Sequence, residues 1–271
     1  MHLHNLLLLR KKMSKTALIT GASSGIGLEL ARIHASKGGN LVLVARTKKK
    51  LDEIKSELES KNKVKVYTIG KDLSVADSAL EVYNEIKEQN ITVDYLINNA
   101  GYGDYGLFEE TNWEKEARMI QLNITTLTQL TKLYLPEMIS RGGGKIMNLG
   151  STASFQPLPL MAVYAATKAY VLSFSEAINN ELSDKGISVT ALCPGLTESG
   201  FVDAAAMNHS KMANDKKLPT AREVALFGYE AMIHGKAFVV HGFKNRLLTI
   251  LQGLVPRGLV VKMTRTLMDK K

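Results

Sequence analysis

Short apolar segments alternate with longer stretches of helical character along most of the chain, and this alternation limits the folds it can adopt. Several short segments are continuous runs of Val, Ile and Leu, typical of strands that are covered on both faces of a sheet. Strands that alternate with helices form a parallel sheet with helices on both sides. We therefore predict an α/β fold, a doubly wound parallel sheet of about seven strands.

The predicted strands have four to seven residues each, and they are residues 16–20, 40–45, 63–69, 94–97, 145–149, 188–193 and 237–241. Gly38 and Gly39 are expected to end the first helix. No segment between the strands has the composition of a linker, so we predict one domain over residues 14–243. We expect residues 1–13 to be a disordered extension, with packing on the domain or membrane contact as alternatives, and residues 244–271 to form a basic amphipathic tail.

The composition excludes several classes of protein. A hydrophobic fraction of 45% and a charged fraction of 23% are those of a globular protein that folds alone. The single cysteine, Cys193, excludes an intramolecular disulfide framework, and it favours a reducing, cytoplasmic location. The six histidines lack the spacing of a metal site, so no bound metal is predicted.

The net charge of +9 is concentrated at the two ends of the sequence. Residues 1–15 carry four basic and no acidic side chains, and residues 236–271 carry eight basic and one acidic. The region between them is close to neutral, which argues against a nucleic-acid-binding surface. Contact between the basic ends and an anionic membrane is a less favoured alternative.

A glycine-rich segment, Gly21-Ala22-Ser23-Ser24-Gly25-Ile26-Gly27, follows the first predicted strand and opens a helix. Such glycines permit a tight turn and let the backbone approach a pyrophosphate near the helix N-terminus. A turn that binds no ligand is the alternative. Residues 21–25 also spell the GxSxG elbow of α/β-hydrolases, but that enzyme needs an earlier strand for its oxyanion loop, and only 20 residues precede Gly21. An NTPase loop would need Gly-Lys-Ser/Thr at its end, which is absent.

Arg46 ends the second predicted strand, where an NAD-binding protein carries Asp or Glu against the ribose 2′-hydroxyl. An arginine suits the 2′-phosphate of NADP, so NADP(H) is predicted in preference to NAD, and a solvated loop arginine is the alternative. Lys48, Lys49 and Lys50 follow and would add positive potential, although a solvated helix start explains them as well.

Tyr164 and Lys168 stand four residues apart within a predicted helix, residues 163–181, so both side chains share one face. A neighbouring ammonium favours the phenolate and is expected to lower the pKa of Tyr164 toward neutrality. The phenol would then exchange a proton with a substrate oxygen, which the hydroxyl of Ser151 could also hold. Taken alone, a Tyr-x-x-x-Lys pair is usually a pair of surface neighbours.

Together these residues resemble one family, the short-chain dehydrogenase/reductases, whose fold is a Rossmann-type sheet. The resemblance extends from Lys15 to His241. Its motifs, in the family's order, are Thr20 to Gly27, Asn98-Asn99-Ala100-Gly101, Asn123, Ser151, Tyr164-Ala165-Ala166-Thr167-Lys168 and Pro194-Gly195. The resemblance implies an NADP(H)-dependent oxidoreductase that reduces a carbonyl or oxidises the corresponding alcohol.

The resemblance also implies a role for each matched residue. Tyr164 would be the general acid/base, Lys168 would lower its pKa and bind the nicotinamide ribose, and Ser151 would orient the reacting oxygen. Asn123 would hold a water that links Lys168 to solvent, unless its amide only satisfies helix ends in the core. The other expected cofactor contacts are Gly21, Ser23, Ser24, Gly25, Ile26, Gly27, Arg46, Asp72, Leu73, Asn99, Ala100, Gly101, Pro194, Gly195 and Thr197.

Two of these cofactor contacts have alternative roles, and a third departs from the family pattern. Asp72 could instead be a turn or helix-cap residue, and Thr197 a plain loop residue. Family members that use NADP often carry Lys or Arg where Ser24 stands, so the 2′-phosphate would depend more on Arg46.

The expected substrate pocket is mostly apolar, which favours a hydrophobic ketone, aldehyde or alcohol. Residues 198–218 are expected to form a mobile lid over it. The predicted lining residues, each of which could equally be a core residue, are Phe155, Leu158, Met161, Leu196, Phe201 and Met207.

The end of the chain and the oligomeric state complete the predictions. Val260, Met263 and Leu267 recur at helical spacing, which predicts an amphipathic helix that packs on the body or on a partner, with membrane contact as the alternative. The helices around Asn123 and Tyr164 resemble those by which family members pair, so a homodimer or homotetramer is expected. The alternative function is a non-catalytic NADP-binding sensor or partner-binding module on the same fold.

Overall fold

The computed structural model describes residues 14–201, 205 and 218–269, and it shows a parallel sheet of seven strands there. The strands are β1 (Thr16–Thr20), β2 (Asn40–Ala45), β3 (Val66–Gly70), β4 (Tyr95–Asn98), β5 (Gly144–Leu149), β6 (Ile187–Cys193) and β7 (Phe238–Val240). The predicted doubly wound fold is confirmed. The largest shift is at β3, which begins three residues later than predicted because Lys63 caps the preceding helix with a φ of +54°.

Helices connect the strands and cover both faces of the sheet. They are α1 (Gly25–Ser36), α2 (Lys48–Asn62), α3 (Ser78–Glu88), α4 (Trp113–Ile120), α5 (Leu127–Ser140), α6 (Ala162–Glu181), α7 (Ala221–Ile233), α8 (Phe243–Leu251) and α9 (Arg257–Met268). A π-helical segment, Gln121–Thr126, joins α4 to α5 without a break. As predicted, α1 ends just before Gly38, which has a φ of +80°.

The order of the strands in the sheet is β3-β2-β1-β4-β5-β6-β7. From β1 the chain adds strands toward one side of the sheet, β2 and then β3, and it then adds β4 to β7 toward the other side. Ligands of such sheets bind beyond the carboxyl ends of the strands at the point where this order changes, here between β1 and β4. The loops that follow Thr20, Asn98 and Leu149 therefore meet at one edge of the sheet.

Two apolar layers bury the sheet, and β1 shows why its residues are continuously apolar. Ile19 packs in the layer that contains Leu30 of α1 and Met232 of α7. Leu18, on the opposite face, packs in the layer that contains Val82 of α3. Every residue of β1 is buried as a result.

The two helices of the tail differ in how they contact the body. α9 buries Val260, Thr264 and Met268, whereas α8 has no buried residue. The predicted stripe of α9 is thus correct for Val260 only, since Met263 and Leu267 are 56% and 55% exposed. Among residues 14–201 and 218–269, no helix has both the length and the apolar composition to cross a membrane.

Candidate active site

A cavity of about 390 Å³ opens at the carboxyl ends of β1, β4, β5 and β6. Seventeen of the nineteen predicted site residues line it, and only Gly27 and Asn123 do not. The seventeen are Gly21, Ser23, Ser24, Gly25, Ile26, Arg46, Asp72, Leu73, Asn99, Ala100, Gly101, Ser151, Tyr164, Lys168, Pro194, Gly195 and Thr197.

The glycine-rich loop is held against β4 by hydrogen bonds. The side-chain amide of Asn99 donates to the carbonyl oxygens of Thr20 (2.9 Å) and Gly21 (3.3 Å). Gly21 has a φ of +65°, and a Cβ there would lie 2.9 Å from the Cα of Ala100, so only glycine fits. The loop therefore presents the N-terminus of α1 to the cavity, where its N–H groups can bind an anion.

Gly27 has a packing role rather than a place in the cavity wall. A Cβ at Gly27 would collide with the carbonyl oxygen of Gly21 and with the amide of Asn99. The missing side chain lets α1 approach the loop closely, so Gly27 acts on the cavity through the position of Gly21.

Arg46 and Asp72 line one end of the cavity. Asp72 accepts hydrogen bonds from the N–H (3.0 Å) and hydroxyl (2.7 Å) of Ser74, and it pairs with Arg118 at 2.6 Å. Burial alone would raise the pKa of Asp72, but the bonds from Ser74 and the charges of Arg118 and Arg46 lower it. Arg46 itself forms no ion pair with a described carboxylate, so its guanidinium remains available to an anionic ligand.

The three lysines after Arg46 do not line the cavity. Lys48 instead donates to Asp52 (2.9 Å) and to the hydroxyl of Thr68 (2.7 Å), within the first turns of α2 and the neighbouring strand. The alternative of a solvated helix start is therefore the better explanation of this run. Lys71, which the sequence analysis missed, does line the cavity and pairs with Glu81 at 2.6 Å.

Ser151, Tyr164 and Lys168 line one region of the cavity. Tyr164 and Lys168 are one turn apart on α6, and both are buried. The Lys168 ammonium donates to the carbonyl oxygen of Leu149 at the end of β5 (2.7 Å), and it lies 5.8 Å from the centre of the Tyr164 ring. The Ser151 hydroxyl accepts a bond from the N–H of Ala153 (3.1 Å), which fixes its orientation.

Burial shifts the pKa values of this pair toward their neutral forms. Loss of solvation raises the pKa of Tyr164 to about 12, and the Ser151 hydroxyl acts in the opposite direction. Loss of solvation also lowers the pKa of Lys168 to about 8. The expected lowering of the Tyr164 pKa by Lys168 is wrong for this structure, because desolvation of the phenolate is the dominant influence on that pKa. Tyr164 is therefore a protonated phenol at neutral pH.

Asn123 lies behind Gly101, on the π-helical segment between α4 and α5. Its amide donates to the carbonyl of Tyr102 (3.1 Å) and to the hydroxyl of Thr167 (3.0 Å). A Cβ at Gly101 would lie 2.9 Å from Oδ1 of Asn123 and 3.4 Å from Nζ of Lys168, so the two side chains are close neighbours. The wider π turn sets this position. The water-holding role of Asn123 stays a prediction.

The loop after β6 forms another part of the cavity wall. Pro194 accepts a hydrogen bond from the N–H of Thr152 (2.9 Å), and the Thr197 hydroxyl donates to the carbonyl of Gly195 (3.1 Å). Gly195 also touches α8, since a Cβ there would lie 2.6 Å from the amide of Asn245. The tail thus supports the loop that is predicted to contact the nicotinamide.

Four of the predicted substrate contacts line the cavity next to Tyr164, namely Leu158, Met161, Leu196 and Phe201. The prediction for Phe155 is wrong, because its ring packs on Phe238, 6.1 Å between centroids, away from the cavity. Met207, most of the predicted lid and the predicted extension of residues 1–13 lie outside the described residues.

Tyr102 and Met268 are among the other cavity residues that the sequence analysis missed. Met268 is fully buried at the end of α9, and its carbonyl accepts a hydrogen bond from Tyr105 (2.5 Å). The same helix is fixed by a bond from Thr264 to the carbonyl of Pro157 (3.1 Å). Val260, Thr264 and Met268 are spaced four residues apart, which could have predicted that they share one face of the helix. A search for apolar stripes misses this face because its central residue is a threonine.

Residues 15–209 match the family model described as short chain dehydrogenase. The chain belongs to this family. The very-long-chain 3-oxoacyl-CoA reductase-A of Danio rerio is 33% identical over 253 residues, which are 90% of this chain and 76% of the relative. The human very-long-chain 3-oxoacyl-CoA reductase is 29% identical over 94% of this chain and 81% of the relative.

Solved structures of short-chain dehydrogenases are similar over most of the chain. A short-chain dehydrogenase from Sphingobium yanoikuyae in complex with NADPH has 33% identity and a TM-score of 0.79, covering 89% of this chain and 94% of the other. The bulky-bulky ketone specific alcohol dehydrogenase from Comamonas testosteroni has 34% identity and a TM-score of 0.75, covering 89% and 93%. Membership of the family makes this chain an oxidoreductase with a site for a nicotinamide cofactor.

Proposed function

We propose that this short-chain dehydrogenase is an NADPH-dependent reductase of apolar carbonyl compounds, with Tyr164 as the proton donor. The convergence of Ser151, Tyr164 and Lys168 beside an apolar wall is the observation that carries this proposal. The bound nicotinamide would supply the hydride, and the protein would supply position, a proton and charge.

The cavity is lined by groups that suit the separate parts of NADP. The N-terminus of α1 suits a pyrophosphate, because Gly25, the first residue of the helix, has no side chain to keep the backbone N–H groups away from the ligand. Arg46, at one end of the cavity, suits the 2′-phosphate that distinguishes NADP from NAD. The similar Sphingobium structure that contains NADPH supports this choice of cofactor.

The proton chemistry follows from the two pKa values. A phenol with a pKa of about 12 keeps its proton at neutral pH, so Tyr164 is suited to protonate the oxygen of a carbonyl as it gains hydride. The phenolate left behind would be stabilised by Lys168, which is cationic below a pKa of about 8. The Ser151 hydroxyl would hold the same oxygen and orient the carbonyl.

The substrate is proposed to be a ketone with large apolar substituents. Leu158, Met161 and Phe201 form an apolar wall beside Tyr164, and Met268 extends it. Relatives that reduce very-long-chain 3-oxoacyl-CoA and a similar enzyme specific for bulky-bulky ketones support this class. A long-chain 3-oxoacyl thioester and a diaryl ketone are therefore the first two substrates to test.

Purified protein is titrated with NADPH, and loss of NADPH absorbance is then followed with both substrates. Tyr164→Phe should lower turnover at least 100-fold, in the range of general-acid effects, while NADPH still binds. Tyr170→Phe is the matched control, because Tyr170 lies on the same helix but is exposed and bonded to Thr128. NADPH binding without turnover on either substrate would favour the non-catalytic alternative, and full turnover by Tyr164→Phe would refute the assignment of the proton donor.

A further inference from the structure

The tail carries a concentration of exposed apolar side chains. Nineteen large hydrophobic residues are exposed in the described part of the chain, and nine of them lie between residues 243 and 267. We call these nine the tail surface: Phe243, Leu247, Leu248, Ile250, Leu251, Leu254, Leu259, Met263 and Leu267. An apolar cluster of this size on a water-soluble body marks an interaction site.

α8 is oriented with its apolar side away from the body. Asn245 and Thr249, one turn apart, are its only two partly buried residues, and Asn245 donates to the carbonyl of His241 at 2.9 Å. Phe243, the first residue of α8, is 82% exposed, and Leu254, in the turn that follows the helix, is 81% exposed. A surface helix normally buries its apolar stripe against the core, so the reversed orientation implies that something else covers this side.

α9 carries a second set of exposed apolar side chains. Its inner stripe, Val260, Thr264 and Met268, is buried against the body. The adjacent stripe, Leu259, Met263 and Leu267, repeats at intervals of four residues and is exposed along its whole length. The helix therefore has two largely apolar stripes, and only one of them packs against the body.

The charges around the tail surface indicate what covers it. Lys244 and Arg246 are exposed on α8, and Arg257 and Lys262 lie on α9. None of these four forms an ion pair with a described carboxylate, and the nearby Asp269 is paired with Arg265 at 2.8 Å. An apolar face bordered by unpaired cations is complementary to an apolar phase with an anionic boundary.

We propose that the tail surface attaches the protein to the face of an anionic lipid bilayer. With 9 and 12 residues, α8 and α9 are about 14 and 18 Å long, too short to cross a hydrocarbon core of about 30 Å, but suited to lie in its interface. The apolar side chains enter the acyl boundary, and the basic side chains reach the lipid phosphates.

A second copy of the chain fits this surface less well. Two tail surfaces facing each other would bring two sets of unpaired cations together, with no described carboxylate at hand to neutralise them. The pairing expected from the family resemblance involves the helices around Asn123 and Tyr164, not the tail. Self-association through the tail is therefore the competing outcome of the experiment.

The test is co-sedimentation of the full chain with vesicles, which requires neither cofactor nor substrate. We expect binding to vesicles of phosphatidylcholine with phosphatidylglycerol, and at least tenfold weaker binding to vesicles of phosphatidylcholine alone. High salt should weaken the binding to the anionic vesicles. Equal binding to both kinds of vesicle, or to neither, would overturn the proposal.

Two variants separate the apolar and the charged contributions. Leu247→Ser/Ile250→Ser/Leu254→Ser should abolish vesicle binding without unfolding the protein, since neither α8 nor the turn that follows it, Gln252–Leu254, has a buried residue. Lys244→Glu/Arg246→Glu/Lys262→Glu should weaken binding on the order of 100-fold or more, at roughly fivefold for each charge lost.

Each variant has a matched control elsewhere on the surface. The apolar control has the same residue types at exposed positions outside the tail surface, Leu80→Ser/Ile139→Ser/Leu226→Ser. The charge control reverses three exposed lysines, Lys132→Glu/Lys185→Glu/Lys236→Glu. Both controls should bind vesicles as the unchanged protein does, and losses as large as those of the tail variants would contradict the assignment. A fall in the solution mass of the Leu247→Ser/Ile250→Ser/Leu254→Ser variant would show instead that a second copy covers the surface.

Discussion

The pH dependence of the proposed ketone reduction tests the pKa shifts of Tyr164 and Lys168. Burial favours the neutral form of both groups, so it lowers the pKa of Lys168, to about 8, and raises that of Tyr164, to about 12. Tyr164, the proposed proton donor, therefore stays protonated throughout the working pH range, whereas Lys168 loses its charge within it. We expect kcat/KM for NADPH-dependent reduction to be constant below pH about 7 and to fall tenfold per pH unit above about 8.

The magnitude follows from the position of the pKa. Two pH units above it, near pH 10, only about one Lys168 in a hundred keeps its proton, so the rate should fall on the order of 100-fold. The assay is initial-rate kinetics at constant ionic strength, with NADPH binding measured at each pH to separate loss of the cofactor from loss of chemistry.

Lys168→Arg distinguishes the two groups that could titrate. An arginine keeps its charge to much higher pH, so the fall in rate should move up if Lys168 is the titrating group. A fall that stays near pH 8 in this variant, or tyrosinate absorbance that appears near pH 8 and is absent in Tyr164→Phe, would assign the titration to Tyr164 and refute the reasoning. A profile that is flat to pH 10 would refute it as well.

Three further outcomes are expected. Arg46→Ala should weaken NADPH binding about tenfold, the low end for a charge-assisted hydrogen bond at an exposed site, and leave NADH binding unchanged in parallel titrations. Met268→Ala enlarges the pocket by the volume of several methylene groups, so the preferred ketone should be about two carbons longer in a chain-length series. An unchanged preference would contradict the place of Met268 in the pocket. Gly27→Ala should lower the free energy of unfolding in urea by about 1–3 kcal/mol because its Cβ overlaps the Gly21 carbonyl, whereas Gly258→Ala, which meets open space, should not destabilise the protein.

Most of the fold and of the cofactor end of the site could be predicted because short stretches of adjacent residues determine them. The continuous apolar residues of β1 require cover on both faces, and Gly21 requires a backbone that no other residue tolerates. The same holds for the spacing of Tyr164 and Lys168, since one turn of a helix brings i and i+4 together wherever the helix lies. Such properties depend on a few adjacent residues and need no knowledge of what packs against them.

Other properties of the site depend on distant segments and could not be predicted. Asn99 matches a cofactor motif, but its side-chain amide donates hydrogen bonds to the carbonyls of Thr20 and Gly21. This contact exists only because β1 and β4 are paired in the sheet. Asn123 owes its position beside Lys168 to a π-helical segment, whose hydrogen-bond pattern leaves no clear mark in the sequence.

The sequence by itself determined the layers of the sheet, the glycine-rich loop and the set of reactive side chains, because each follows from local periodicity or from one residue's own chemistry. Tertiary structure alone decided the direction of the Tyr164 and Lys168 pKa shifts, since desolvation depends on everything packed around the pair. It also decided which stripe of α9 faces the body and that Met268 reaches the cavity. A helix with two apolar stripes has two ways to pack, and only the surface it meets selects one.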